Sequence, residues 1–246
     1  MLAMTAEPMA LNATTLVGDP PAATARPSTI TWNHDEAARA LGAAAYACSK
    51  RALDVCGALL LLVLLLPVFA AVALAILRDT GGPVFYRAER IGRSGRPFRV
   101  VKFRSMMAGC DQAAHAAFIK SLMQGTNCGV YKVPGDKRIT RLGAFLRRTS
   151  IDELPQLWNV LRGDMSLVGP RPDVPYAVAD YADWMRLRLA IRPGMTGLWQ
   201  VSGRSRLSLL DMYRLDADYA QHASLLLDLR ILARTVPVVL GHDGAA

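Results

Sequence analysis

Asp152 and Glu153 stand side by side in the stretch RRTSIDELPQLWNVLRGDMSLVGPRP, which runs from Arg147 to Pro172. Two adjacent carboxylates, with Arg147 and Arg148 before them and Arg171 held between Pro170 and Pro172 after them, are the ingredients of chemistry on phosphate. A carboxylate can serve as nucleophile, base or metal ligand. A guanidinium is a planar fork of donors that matches phosphate oxygens. The pair also has an ordinary structural use, because acidic residues in the first turn of a helix interact favourably with its dipole. The neighbours tilt the reading toward chemistry. Arg147, Arg148, Arg171, Arg192 and Arg204 all lie beside turn-forming residues or expected helix ends, where a side chain can be aimed. Two prolines fix the backbone around Arg171 more tightly than a solvated side chain requires. Asp164, close by, reads as a structural partner for a neighbouring arginine.

These residues need elements to hold them. The stretch DKRITRLGAFLRRTS has the spacing of a short amphipathic helix. Ser150 is placed to cap the next helix, with Asp152 and Glu153 in its first turn and Pro155 close behind. Upstream, PVFYRAERIG and FRVVKFRSMM alternate aromatic or β-branched residues with basic ones, the pattern of two paired strands with RSGRP as their turn. The segment from Cys110 to Gly135 reads as a helix followed by a polar loop. Downstream, YAVADYADWMRLRLAIRP spaces apolar and aromatic residues among arginines. That pattern serves either a helix lying in a membrane interface or an ordinary amphipathic helix on a core. RPGMTGLWQVSGR reads as a glycine-punctuated loop, and LLLDLRILARTVPVVL as a closing apolar helix.

Composition narrows the partners. A formal charge of +9 over 246 residues favours nucleic acid, anionic headgroups or phosphorylated small molecules. Cys48, Cys56, Cys110 and Cys128 show no CxxC spacing, and the four histidines are scattered, which argues against a zinc site, a disulfide framework and a histidine-based triad. No basic stretch leading into an apolar core opens the chain, so a cleaved leader is not expected. Residues 1 to about 46, rich in Ala, Thr and Pro, are expected to be disordered.

From Val55 to Leu77 the sequence carries no charge, enough to enter a bilayer. Pro67 divides this run into parts of roughly 18 Å and 15 Å, each about half of a hydrocarbon core. Lys50 and Arg51 precede the run, and Arg78, Arg87, Arg90 and Arg93 follow it, so both ends are drawn to the cytoplasmic side. From the residues alone, a hairpin that enters and leaves one leaflet and a simple spanning helix stay level. An uncharged run of this length excludes a soluble nucleic-acid-binding module, and the arginines form no single stripe with stacking aromatics.

Four motifs in order, Lys50-Arg51-x-x-Asp54, FRVVKFRSM, SIDELPQLWNVLRGDMSLVGPRP and RPGMTGLWQVSGR, make the chain resemble the bacterial sugar transferases, the monotopic polyprenyl-phosphate phosphoglycosyl transferases. The resemblance covers about Lys50 to Leu240 and is to the short type that initiates exopolysaccharide with a hexose phosphate. It implies an α+β fold in which a re-entrant helix-break-helix (47–79) joins a small, mostly helical cytosolic catalytic domain (80–241) with a short β-hairpin and interfacial amphipathic helices. Pro67 falls at the break. Many members have Ser before this proline, where this chain has Leu66, so a hydrogen bond that helps the bend is missing. Lys50, Arg51 and Asp54 would sit at the interface and keep both ends on one side.

The implied reaction transfers a sugar-1-phosphate from a UDP-sugar, glucose or galactose favoured, to undecaprenyl phosphate, with release of UMP. Asp152 would be the nucleophile and a ligand of Mg2+, and Glu153 would handle the acceptor or the metal. Arg171 and Arg204 would grip phosphate oxygens, Arg148 would support them, and Pro170 and Pro172 would set Arg171. The implied place is the cytoplasmic leaflet of a bacterial inner membrane, and a domain seated there with apolar helix faces is expected to be able to form a homodimer. N-acetylated donors and a non-catalytic membrane scaffold are the alternatives.

Overall fold

The computed structural model describes residues 34–106, 113–123 and 139–241. By internal contacts the chain divides into 1–40 and 41–246, and all that follows concerns the second unit apart from the first turns of its leading helix.

Helix α1 (His34–Leu64) is followed at once by α2 (Leu66–Thr80), the two bent by 60°. No single helix among the described residues is long and apolar enough to cross a membrane, but this bent pair is, taken together. Pro67 lies in the first turn of α2, where its missing N–H deprives the helix of nothing, so the break falls just ahead of it. Leu65 occupies the cap position without a side-chain hydrogen bond, and Leu66 cannot supply one either. The start of α1 at His34 corrects the expectation of disorder up to residue 46. The run AARALGAAAYA is alanine-rich and therefore strongly helix-forming. Residues 1–33, and the expected polar loop with Cys110 and Cys128, lie outside the described residues.

The expected hairpin is present. β1 (Phe85–Ile91) pairs antiparallel with β2 (Pro97–Phe103), in a register that sets Tyr86 opposite Lys102 and Ala88 opposite Val100. The outer edge of β2 is closed by one side chain: Asn159 donates to the Arg99 carbonyl at 2.8 Å and accepts from the Val101 N–H at 3.0 Å. That bond pair, from helix α5 (Leu157–Arg162), lays the preceding 3-10 turn, Ile151–Gln156, along β2.

The second sheet was not foreseen. β3 (Ser166–Val168) runs parallel to β4 (Gly194–Thr196), so part of RPGMTGLWQVSGR is strand and helix α8 (Leu198–Ser202), not loop. The two backbones meet so closely that a Cβ on Gly194 would sit 2.0 Å from the Gly169 nitrogen, which is why these positions are glycine. The stretch YAVADYADWMRLRLAIRP also differs from expectation. It is broken into α6 (Pro175–Ala179), α7 (Asp183–Arg186) and a 3-10 turn (Leu187–Leu189), and Arg188, which an amphipathic face would leave outside, turns inward. Helices α3 (Ala113–Met123), α4 (Arg141–Arg148), α9 (Leu209–His222) and α10 (Leu225–Leu240) complete the described elements.

The largest buried apolar cluster joins Ala58 of α1, Ala88 and Val100 of the hairpin, Leu157 and Val160 of α5, Leu167 and Val168 of β3, and Ile231 of α10. A second packs Val72 and Ile76 of α2 on Phe103 and Leu146. The bent helix pair is thus partly built into the fold, while Leu59, Leu60, Val63, Leu64 and Leu66 remain exposed at its bend.

Candidate active site

Asp152 and Glu153 sit in the 3-10 turn after α4. Ser150 enters this turn with a left-handed backbone (φ 58°) and makes no side-chain cap, so the expected capping hydroxyl is replaced by a sharp change of chain direction. Since the turn runs along β2, Glu153 meets Lys102. The ammonium lies 3.0 Å from Oε1. Arg171 closes the other side as a fork, with Nη1 donating to Oε2 at 3.0 Å and Nη2 to Oε1 at 2.5 Å. Lys102 stood inside a quoted motif but was not singled out. The hairpin register, which aims it at the same face as Tyr86, is what the linear pattern could not supply.

The two carboxylates are treated very differently. Burial alone would raise Glu153, but Arg171 and Lys102 outweigh it and hold the carboxyl well below the usual range. Asp152 moves the other way. Burial, reinforced by the neighbouring Glu153 charge, pushes it up to about 6 against the pull of Lys102, Arg147 and Arg171. Burial also lowers Lys102, with Glu153 opposing. Asp152 is 8% exposed, and no described group hydrogen-bonds its carboxylate. One carboxylate is therefore spent on two cations and its neighbour keeps its oxygens available.

Arg171 is held by its backbone. The Pro170 carbonyl accepts from Gly194 N–H at 2.8 Å, and the Arg171 carbonyl accepts from Arg188 Nη2 at 2.7 Å. Two residues on, Asp173 ties to the hairpin through its carbonyl, which accepts from Ile91 N–H at 2.9 Å.

The matching family is described as bacterial sugar transferase, and the match runs over residues 45–242. The chain belongs to the bacterial sugar transferase family. Among curated relatives, the "UDP-galactose-lipid carrier transferase" of Erwinia amylovora is 44% identical over 80% of this chain and 41% of its own length. The "Exopolysaccharide production protein ExoY" of Sinorhizobium fredii is 42% identical over 78% of this chain and 85% of its own. The "UDP-glucose:undecaprenyl-phosphate glucose-1-phosphate transferase" of Caulobacter vibrioides is 43% identical, over 80% and 71% respectively. The chain spans less than half the length of the first of these.

Within this family fold the expected site residues separate into groups. Asp152, Glu153 and Arg171 come together with Lys102. Arg147, rather than Arg148, is the α4 arginine whose charge bears on Asp152. Arg148 is exposed. Arg204 is turned to the C-terminal helix, where Nη1 donates to the Val238 carbonyl at 3.2 Å, and Arg192 Nε donates to the Gly163 carbonyl at 3.1 Å. Asp164 pairs with Arg162 at 3.5 Å.

Lys50, Arg51 and Asp54 all make bonds inside the protein. Lys50 Nζ reaches Asp228 Oδ2 at 2.9 Å and the Val168 carbonyl at 3.0 Å. Arg51 donates to the Val160 and Leu161 carbonyls at 2.6 and 2.8 Å, closing the end of α5. Asp54 accepts from Ser166 Oγ at 2.9 Å and Leu167 N–H at 2.8 Å.

For a metal, the described residues contain no group of three His, Cys, Asp or Glu side chains that could hold an ion by themselves. The free oxygens of Asp152 offer one ligand. That fits Mg2+, which keeps its waters and takes one or two carboxylates plus substrate phosphates.

Proposed function

We propose that the chain is a monotopic phosphoglycosyl transferase that moves a sugar-1-phosphate from a UDP-sugar to undecaprenyl phosphate. The observation that carries this reading is the unequal carboxylate pair: a largely buried Asp152 without a hydrogen-bond partner among the described residues, beside a Glu153 already committed to Lys102 and Arg171. Relatives named for UDP-galactose or UDP-glucose favour a hexose donor.

In the first step an Asp152 oxygen attacks the sugar-linked phosphorus. The bond from that phosphorus to the oxygen bridging to the uridylate breaks, and UMP leaves with the electron pair, so the glycosyl-phosphate is carried on Asp152. In the second step a phosphate oxygen of undecaprenyl phosphate attacks the same phosphorus, and the bond to Asp152 breaks to restore the carboxylate. With its pKa near 6, Asp152 is largely ionised at neutral pH and remains a competent nucleophile. Glu153 fixes Lys102 and Arg171 beside it, which places positive charge where the equatorial phosphoryl oxygens gather charge in the transition state. Arg147 adds to that field from α4. Mg2+, held by Asp152 and the diphosphate, would neutralise charge on the donor.

The bent α1–α2 pair is the re-entrant membrane segment (47–79), and 80–241 is the catalytic part on the cytoplasmic face of a bacterial inner membrane. The exposed leucines at the bend, with exposed Trp158, Trp184 and Leu187 elsewhere, support that seat. The test is UMP release from a panel of UDP-sugars by detergent-held protein with Mg2+ and undecaprenyl phosphate. Release with a hexose donor and its loss in Asp152→Asn are expected. Wild-type rates in Asp152→Asn would refute covalent catalysis by this residue.

A further inference from the structure

Among the described residues Arg188 is a heavily engaged side chain, and its bonds go to groups other than Asp152 and Glu153. It is 4% exposed. Nη2 donates to Asp216 Oδ2 at 2.5 Å and to the Arg171 carbonyl at 2.7 Å. Nη1 donates to Asp173 Oδ2 at 3.2 Å and to the Tyr181 hydroxyl, and the plane lies over the Tyr213 ring at 4.5 Å. A buried ion network of this kind is weak evidence for stability, since well-packed apolar residues often serve as well. What an apolar replacement cannot do is bind a carbonyl. One guanidinium grips residue 171 by its backbone and residue 173 by its side chain, so Pro172 is clamped between two fixed points. The Gly194 N–H holds Pro170 from the other side. From this held segment the Arg171 side chain reaches Glu153 and lands on it as a fork.

We infer that Arg188 is a positioning residue for the transfer reaction, acting through the Arg171 backbone to aim the Arg171 guanidinium at Glu153 and the donor phosphates. The inference rests on the proposed activity. Misplacing a catalytic fork by about 1 Å is enough to lower a rate by about 100-fold.

The experiment is a double-mutant cycle on kcat/KM for UMP release, per folded protein, using wild type, Arg188→Met, Arg171→Ala and the pair. Arg188→Met alone is expected to lose between about 10- and 100-fold. In the Arg171→Ala background the same change is expected to lose less than about 3-fold, because nothing remains to aim. An equal fold-loss in both backgrounds overturns the inference, since that is the signature of a general structural role. Should Arg188→Met not fold, Asp216→Asn, which keeps shape and removes one anchor of the guanidinium, is run through the same cycle with the same expectation. A wild-type chain silent toward every UDP-sugar overturns the functional reading first. Activity in wild type with additive losses overturns only the role of Arg188.

Discussion

Replacing Arg188 by Met also has a thermodynamic consequence, separate from turnover, whose size follows from the geometry. The substitution keeps most of the volume but leaves Asp216, 1% exposed, and Asp173, 8% exposed, without their cation. Removing one partner of a buried ion pair costs about 3–5 kcal/mol. For a chain of this size that corresponds to a fall in Tm of about 6–20 °C. The deficit must also depend on pH. In wild type, burial pushes Asp216 up to about 6 even with Arg188 opposing it. Because the folded pKa lies above the unfolded one, stability from this group is present at low pH and declines as pH rises toward 6. Without Arg188 the folded pKa rises further, so the decline continues past 6. The mutant deficit then grows by about 1.4 kcal/mol per unit between pH 6 and 8, until the new pKa is passed. Guanidinium unfolding in detergent at pH 6, 7 and 8, followed by tryptophan fluorescence with Trp199 close to Arg188, measures both quantities. A deficit under about 1 kcal/mol, or one flat across that range, refutes the view that Arg188 is what compensates these carboxylates.

Other outcomes follow from individual contacts. Glu153→Gln removes the charge that holds Lys102 and Arg171, and kcat/KM for UMP release is expected to fall by about 100-fold or more; an unchanged value would remove Glu153 from the site. Gly143→Ala places a methyl 2.0 Å from the Ser105 carbonyl oxygen, so α4 must move, and stability read from the denaturation midpoint should fall by about 1–3 kcal/mol. Arg51→Met loses both bonds to the end of α5 and is expected to destabilise by about 2–4 kcal/mol, read as a lower Tm with α1 and α2 still present. Excess EDTA should stop UMP release and added Mg2+ restore it; release that persists in EDTA would eliminate the metal from the reading.

The hairpin was legible because its strands alternate with period 2 around a short glycine-containing turn. The Asp152 turn was legible because acidic residues followed by proline mark a helix start. What stayed hidden shares one cause. β3 and β4 are three residues each and buried, too short to show a period and dependent on glycines for close approach. Arg188 sits in a run where arginines read as a solvated or interfacial face, and its inward turn is decided by Asp216, 28 positions further along the chain. Lys102 and Arg171 likewise find Glu153 across sequence separations of 51 and 18, a meeting that local pattern does not encode. Lys50, Arg51 and Asp54 were visible as a cluster, but their partners on α5, β3 and α10 were not, so a bracket inside the fold read as a set of interface charges.

That bracket bears on how the molecule can be dissected. A cut at residue 79 or 80, the natural place to remove the apolar helices, would take away the bonds that Lys50, Arg51 and Asp54 make to the Val160, Leu161 and Val168 carbonyls, Ser166 and Asp228, and leave Ala58 and Ile76 missing from the cores they fill. The helices are therefore internal scaffolding as much as an anchor. Solubility is better sought by recolouring the exposed leucines of the bend than by deleting the segment, since those side chains are half or more exposed.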